Sequence, residues 1–189
     1  MTVERRNLWA SIGAVALVQT AVLGWMIWER AHLLSTGREV VLEVIPVDPR
    51  SLFQGDYVVL GYPMSRVPVP PGTKLEHEQP LYVTLQKSPN GTFTVAQTNA
   101  APPESTTPDQ VVIKGRVQYT SEPTEQGPVQ ANVLYGIENF FVPEGTGHDL
   151  EKLVGERKLS ALVAVDDDGN AAIKGLIVDG KRVYEEPLL

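Results

Sequence analysis

The sequence contains no cysteine and only three histidines. Without a cysteine after its apolar N-terminal stretch, the chain has no lipoprotein attachment site. An oxidising compartment permits disulfides but does not require them, so the missing cysteines leave the compartment open. His32, His77 and His148 lie far apart and lack the spacing of zinc ligands. We therefore expect neither a metal nor a cofactor.

Positive charge is also scarce, with sixteen Lys and Arg against twenty-three Asp and Glu. Beyond residue 30 the chain carries thirteen basic and twenty-one acidic residues, a net charge of about −8. Such a domain is poorly suited to phosphate backbones or anionic lipid surfaces. We therefore expect no nucleic-acid partner.

Common catalytic motifs are missing as well. The sequence has no glycine-rich phosphate loop and no GxSxG elbow. The segment 166–170 (DDDGN) is similar to the middle of a calcium loop, but Ala164 and Gly175 occupy the first and twelfth ligand positions. The segment therefore predicts a hairpin turn, and we predict no catalytic residue.

Residues 8–28 (LWASIGAVALVQTAVLGWMIW) form an uncharged run of twenty-one positions. At a rise of about 1.5 Å per residue, a helix of this length crosses a hydrocarbon core of about 30 Å. Trp9, Trp25 and Trp28 lie near its ends, where aromatic side chains meet headgroups. The run exceeds the apolar core of a cleaved signal peptide and ends in Glu29-Arg30-Ala31, which is not a small-x-small cleavage site. These features predict an uncleaved signal anchor in contact with membrane lipid.

Charges next to the span predict its orientation only in part. Arg5 and Arg6 precede the span, and Arg30 and Arg38 follow it, so the local counts are equal. Large domains translocate largely regardless of charge, whereas a short tail with two arginines tends to stay inside. We therefore expect a cytoplasmic N-terminus and an extracytoplasmic C-terminal domain.

Small residues mark one side of the span. Gly13, Ala16, Thr20 and Gly24 recur at spacings of three and four and therefore share one helical face. Small residues allow close approach of helix backbones in lipid, and threonine can hydrogen-bond between helices. The stripe is a candidate helix-packing surface, although alanine and glycine are also common in spans generally.

After the span the pattern is almost entirely β. The domain prediction is a tail at 1–7, a transmembrane helix at 8–28, a juxtamembrane linker at 29–38 and a β domain at 39–189. Segments rich in β-branched and aromatic residues predict strands. The predicted strands are 39–45, 57–62, 81–87, 92–97, 110–119, 129–142, 159–165, 171–178 and 181–184.

Turns and helix ends complete the prediction. The first helix is expected to continue to Thr36, with Gly37 as its C′ residue, and a second short helix is expected at 148–156. The proline-containing stretches 63–80 and 99–109 predict loops. The expected fold is mainly β, an antiparallel two-sheet sandwich or a partly open barrel with one short helix, preceded by a single N-terminal transmembrane helix.

The most distinctive string is 55–62 (GDYVVLGY). Gly55-Asp56 predicts a tight turn before a strand whose two faces are both apolar or aromatic. Such a strand is either buried in the core or part of an interface. If the strand is part of an interface, we expect Arg50 and Asp56 to fix the preceding loop and Tyr62 to be an exposed anchor. The candidate partner-binding residues are Arg50, Gly55, Asp56, Tyr57, Leu60 and Tyr62.

Gly55-Asp56-Tyr57-x-x-Leu60-x-Tyr62 resembles the motif that names the GDYXXLXY family of uncharacterised membrane-anchored bacterial proteins. Segments 46–50 (PVDPR), 141–145 (FVPEG), 165–175 and 179–180 are also similar to that family. The resemblance implies a bacterial inner-membrane protein that accompanies a polytopic membrane protein. It implies no activity and no catalytic residue.

A second, weaker resemblance is to the Ser-Met-x-Pro-Thr-Leu-x-x-Gly-Asp loop of membrane-anchored signal peptidases. Ser51 through Asp56 (SLFQGD) is similar to the end of that loop, but Val47 occupies the nucleophile position. A Ser–Lys enzyme needs its serine to form an acyl intermediate, which leaves only a relocated dyad of Ser51 with Lys114 or Lys174.

The expected function is therefore that of a membrane-anchored, non-enzymatic accessory or interaction protein. The alternatives are a divergent Ser/Lys protease of the signal-peptidase type and a β domain that binds a small ligand.

Overall fold

The computed structural model of the protein describes residues 2–46, 57–69, 74–121, 129–141, 147–156 and 158–185. Two α-helices lie in these ranges, α1 at Thr2–Thr36 and α2 at Gly147–Gly155. The strands are β1 (Arg38–Glu43), β2 (Tyr57–Val59), β3 (Arg66–Pro68), β4 (Pro80–Lys87), β5 (Phe93–Asn99), β6 (Gln110–Thr120), β7 (Gln130–Leu134), β8 (Asn139–Phe141), β9 (Leu159–Val165), β10 (Ala171–Val178) and β11 (Lys181–Glu185).

Within the described ranges the strands form three antiparallel sheets. One sheet has the order β1-β9-β10-β11, a second has the order β3-β7-β6-β4-β5, and β2 pairs with β8. The edge strands β3 and β5 of the five-stranded sheet contact each other, so this sheet curls into a nearly closed barrel. The predicted fold class is confirmed: a mainly β domain with one short helix follows a long apolar N-terminal helix.

The hydrophobic core lies between the sheets. Strand β6 shows the expected alternation, because Val111, Ile113 and Val117 are buried while Lys114 and Arg116 between them are exposed. Strand β9 is buried on both faces. Its core-facing residues join a cluster that also includes Val40, Leu60, Tyr62, Leu81, Leu85, Val133, Tyr135, Ile137 and Phe140.

Three turns form as glycine-containing hairpins, and one of them is the turn predicted at 166–170. Gly91 adopts a φ of 88° between β4 and β5, and Gly169 adopts a φ of 83° between β9 and β10. Asp179 and Gly180 both have positive φ between β10 and β11. Positive φ is the conformation that tight hairpin turns require, and glycine adopts it without steric cost.

Two predictions of secondary structure were wrong. The segment 129–142 is two strands, because a turn with Gly136 at a φ of 78° separates β7 from β8. The stretch 63–80 is not only a loop, since it contains a 3₁₀ turn at Pro63–Ser65 and the short strand β3. Strand β3 is at the edge of its sheet, the position where a strand tolerates proline.

Helix α1 ends at Thr36, as predicted, but Gly37 does not end it through a left-handed conformation. The φ of Gly37 is not in the left-handed range, and its amide donates to the Leu33 carbonyl at 2.9 Å. A Cβ at this position would lie 3.0 Å from the Cβ of Ala164. It would also lie 2.5 Å from the Leu33 carbonyl oxygen, so glycine is required first by the last turn of α1 itself, and the tight approach to β9 adds to that requirement.

Candidate interaction surfaces

The span of α1 is an apolar surface that the rest of the described chain does not cover. In the part of the chain that the structure describes, one helix, Trp9–Thr36 within α1, is long and apolar enough to cross a membrane. None of its most apolar eighteen-residue window is buried. The large apolar side chains from Trp9 to Trp28 are 50–70% exposed. An apolar surface of this extent in water is unfavourable, which is consistent with a lipid environment.

The predicted packing stripe lies on this exposed helix. A Cβ built at Gly13 or Gly24 would meet no heavy atom within 4 Å, so both positions face open space. The Thr20 hydroxyl donates to the Ala16 carbonyl at 2.9 Å, within the same helix. Helix packing through Gly13, Ala16, Thr20 and Gly24 stays a prediction.

Aromatic side chains mark the domain-facing end of the span. The rings of Trp25 and Trp28 lie 5.4 Å apart, and the His32 ring stacks on Trp28 at 5.2 Å with 7° between the planes. Tryptophan concentrates at the headgroup level of membranes. This end is therefore the expected interface between lipid and water.

The described part of the distinctive string forms a second candidate surface, which we call the motif strand (Tyr57–Tyr62). Its first half is β2, and Gly61 then bridges to Ile45 beyond β1. Val58, Leu60 and Tyr62 are buried on the core side. Arg50, Gly55 and Asp56 lie outside the described residues, and only the backbone of Tyr57 is described.

Tyr62 was predicted to be an exposed anchor, and this prediction was wrong. Its side chain is 2% exposed, and its hydroxyl donates to the Ile137 carbonyl at 2.8 Å. Burial raises the pKa of the Tyr62 hydroxyl, and the Glu138 carboxylate raises it further. The phenol is therefore neutral and serves as a buried donor.

A second tyrosine makes the reciprocal contact. The Tyr135 hydroxyl donates to the Met64 carbonyl at 2.7 Å, so Tyr62 and Tyr135 each reach across to the other's segment. Burial and the Glu138 charge raise the pKa of Tyr135 as well. We call Tyr62 and Tyr135 the tyrosine clamp. It fixes the end of the motif strand to the turn between β7 and β8.

Glu138 organises that turn. Its carboxylate accepts hydrogen bonds from the Tyr135 amide at 2.7 Å and the Gly136 amide at 3.0 Å. Its backbone carbonyl accepts from the Leu60 amide at 2.7 Å. One residue therefore satisfies three backbone donors, two in the turn and one in the motif strand.

Sequence analysis missed Tyr135, Glu138 and the glycine that accommodates the clamp. A Cβ on Gly115 of β6 would collide with Val133 Cγ1 and would lie 2.9 Å from the Tyr135 ring. The one available signal was the glycine itself, which is unusual inside a strand and indicates close approach of another group.

The residues of the protease alternative are only partly described. Ser51, the proposed nucleophile, lies outside the described residues. The Lys174 ammonium forms an ion pair with Glu39 at 2.9 Å, so a carboxylate already occupies it. The Lys114 amide donates to the Gly169 carbonyl at 2.8 Å, and its side chain is exposed. The Ser/Lys dyad stays a prediction.

Asp166 holds the β9–β10 turn together. Its carboxylate accepts from the Asp168 amide at 3.0 Å and from the Asn170 amide at 2.8 Å. The side-chain amide of Asn170 donates to the other carboxylate oxygen at 2.9 Å. The segment forms the predicted hairpin turn. In the described ranges, no group of three His, Cys, Asp or Glu side chains could hold a metal ion.

A cleft of about 500 Å³ lies beside this turn. Arg38, Tyr82, Glu104, Lys114 and Asp167 are among its lining residues. The Arg38 guanidinium donates to the Gln110 carbonyl at 2.8 Å and to the Pro108 carbonyl, so it is already engaged. Ligand sites are mostly apolar and contain a few convergent polar groups, whereas this cleft is bordered largely by exposed polar side chains. The small-ligand alternative stays a prediction.

Comparison with known proteins provides one match. The family model described as GDYXXLXY protein matches residues 19–176, which includes the second half of the span, the motif strand and the tyrosine clamp. No curated protein and no solved structure matches the chain. Since the family match covers most of the sequence, the chain belongs to the GDYXXLXY protein family.

Proposed function

We propose that this protein is a single-pass, non-enzymatic accessory protein of the bacterial inner membrane that binds another membrane protein. The observation that carries the proposal is the exposure of α1. Eleven large apolar side chains from Trp9 to Trp28 are at least half exposed, and no described element of the chain covers them. Lipid and a neighbouring transmembrane helix are the surroundings that satisfy such a surface.

The β domain is proposed to lie outside the cytoplasm. The support is the short N-terminal tail with Arg5 and Arg6, which favours retention of the tail inside. The absence of native cysteines permits a direct test with single introduced ones. In intact cells a membrane-impermeant maleimide should label Ala96→Cys on the exposed side of β5, and Thr2→Cys only after lysis. The opposite labelling pattern would place the domain in the cytoplasm.

The stripe on α1 is the proposed contact with the partner. Gly13 and Gly24 face open space, and their missing side chains would allow a neighbouring helix to approach closely. A polytopic membrane protein is the partner that this surface fits, because it supplies transmembrane helices in the same bilayer.

The test is copurification of the intact, tagged protein after crosslinking in membranes. Thr20→Leu combined with Gly24→Leu adds bulk to the stripe and should reduce the crosslinked partner. Ala14→Leu combined with Ala21→Leu adds comparable bulk on a helical face about 100° away from the stripe and is the matched control. Loss in the stripe variant alone supports the proposal. Equal recovery from both variants and the unmodified protein rules out this contact surface.

A further inference from the structure

The end of α1 is docked on the β domain. Leu34 is 2% exposed, whereas the apolar side chains of the span are at least half exposed. Helix α1 contacts β9 and β10. Ala164 and Ala172 of these strands are buried outside the main core cluster, as Leu34 is. The helix therefore packs on a shallow, alanine-lined patch on the outer face of the four-stranded sheet.

Gly37 and Arg38, which follow the end of the helix, tighten this contact. Gly37 approaches β9 so closely that a Cβ would lie 3.0 Å from Ala164 Cβ and 3.1 Å from the Val165 amide nitrogen. The Arg38 guanidinium then reaches the carbonyl of Pro108, in the loop before β6, and the carbonyl of Gln110, the first residue of β6. The junction between α1 and β1 is thus held by the four-stranded sheet on one side. On the other side it is held by the start of β6 and the loop before it, which belong to the five-stranded sheet.

No flexible residues separate the helix from the first strand. Helix α1 ends at Thr36, and Arg38 already pairs with Val165 at the start of β1. Strand β1 is then paired with β9 along its whole length. A helix that continues into a docked turn and a paired strand has no freely rotating linker.

We propose that α1 and the β domain form one rigid unit, so the rotation of the span about its own axis fixes the direction in which the domain projects. This inference rests on the proposed membrane anchoring. Successive residues turn by about 100° around an α-helix. Ala16 and Thr20 therefore lie within about 40° of the direction of Leu34. Gly13 and Gly24, the other two stripe residues, lie about 60° and about 80° from that direction, so the domain side of α1 coincides with the Ala16–Thr20 edge of the stripe. A helix packed against Ala16 and Thr20 would lie beneath the domain.

The test uses the full chain in lipid nanodiscs, with spin labels at Val18→Cys in the span and Ala96→Cys in the domain. The absence of native cysteines makes the two labels unique. We expect one narrow distribution of the distance between the two spin labels. Gly37→Val would collide with the Leu33 carbonyl oxygen and crowd Ala164, so it should distort the docked helix end and broaden the distance distribution at least about twofold. A broad distribution in the unmodified junction would overturn the proposal.

Additional variants separate docking from folding. Leu34→Asn removes the apolar contact without adding bulk and should also broaden the distribution, while the exposed Ser35→Ala is the control and should not. One alanine inserted after Arg30 should shift the mean distance by rotating the domain about 100°, without broadening it. An unchanged mean after the insertion would contradict the rigid unit. Flotation of the same samples reports membrane insertion, so loss of the anchor is distinguishable from loss of rigidity.

Discussion

The span of α1 and the motif strand are both apolar, yet they lie in opposite environments. From Trp9 to Trp28 the large side chains of the span face outward, while Val58, Leu60 and Tyr62 of the motif strand are buried. The Thr20 hydroxyl of the span bonds within α1, to the Ala16 carbonyl, whereas the Tyr62 hydroxyl bonds directly to the turn before β8. Apolar character alone therefore does not identify a candidate binding surface. An apolar surface is a candidate only where the rest of the described chain leaves it uncovered.

This comparison assigns different tasks to the two regions. Apolar surface that the chain itself buries stabilises the fold, and apolar surface that it leaves exposed requires an outside environment. The motif strand is then mainly a structural element of the β domain, and the span is the proposed surface for contact with lipid or partners. Variants in each region test this division.

The first prediction concerns the tyrosine clamp. Tyr62→Ala removes a fully buried aromatic side chain and should destabilise the domain by about 3–5 kcal/mol. Tyr62→Phe keeps the ring but leaves the buried Ile137 carbonyl without its donor, so it should cost about 1–3 kcal/mol. Urea unfolding of the detergent-solubilised protein measures both. If Tyr62→Ala unfolded at the same urea concentration as the unmodified protein, Tyr62 would not be a core residue in solution.

The second prediction concerns the span. Leu17→Arg places a charge near the middle of the apolar run and should disfavour membrane insertion by about 2.5–3.5 kcal/mol. Cell fractionation should then show a reduced membrane-bound share, while Leu17→Ala as the control remains in the membrane. Urea unfolding of the domain should be unaffected, because Leu17 contacts none of the domain's core cluster. A fully membrane-bound Leu17→Arg protein would argue that residues 8–28 do not cross the bilayer.

The third prediction concerns the glycine beneath the clamp. Gly115→Ala would place a methyl group against Val133 and the Tyr135 ring, and such overpacking costs about 1–3 kcal/mol. Gly155→Ala in α2 is the matched control, since a Cβ there meets nothing within 4 Å. We measure the midpoint of thermal unfolding by circular dichroism. Gly115→Ala should lower this midpoint, and Gly155→Ala should not. Equal midpoints would mean that the clamp does not press on β6.

The smallest predicted effect is a pH dependence at the domain surface. Hydrogen bonding from Lys174, together with the charges of Lys174 and Arg182, lowers the pKa of Glu39 below its ordinary value of 4.5. A carboxylate with a lowered pKa stabilises the fold at pH values above its unfolded pKa, and this stabilisation is lost as the pH falls through the folded value. Glu39 is partly exposed, so solvent screening keeps the effect small.

Glu39→Gln should therefore reduce stability slightly at neutral pH and leave stability unchanged at strongly acidic pH. Unfolding midpoints measured between neutral pH and pH values below 4.5 would show the two proteins converging on acidification. The exposed Glu156 is a second example, because its hydrogen bond with Lys158 also lowers its pKa, and Glu156→Gln should converge with the unmodified protein in the same direction. Parallel curves for Glu39→Gln would contradict the ion pair with Lys174.

Most strands could be predicted from the sequence because their patterns are local. Strands β9 and β10 begin and end at the predicted residues, since their β-branched runs are bounded by turns with Asp-Gly. Strand β3 was missed because Pro63 precedes it and Pro68 is its last residue, and prolines so close together indicate a loop. Only the position at the sheet edge makes a strand possible there.

The candidate site could be predicted only in part. The length and composition of α1 are local properties, so the span was evident. The buried hydroxyl of Tyr62 depends on the Ile137 carbonyl, which is seventy-five positions further along the chain. The need for glycine at position 115 depends on how closely the Tyr135 ring packs there. Contacts between such distant positions are set by the tertiary fold and leave little trace in local periodicity. Partner binding by the motif residues stays a prediction.

The most direct test of the central claim is flotation of the full-length protein from cell membranes at alkaline pH, followed by measurement of its intact mass. If α1 is an uncleaved span, the protein floats with the lipid and its mass includes the residues before Trp28. A soluble protein whose mass begins after Trp28 would contradict the anchor and the division of tasks between the two apolar regions.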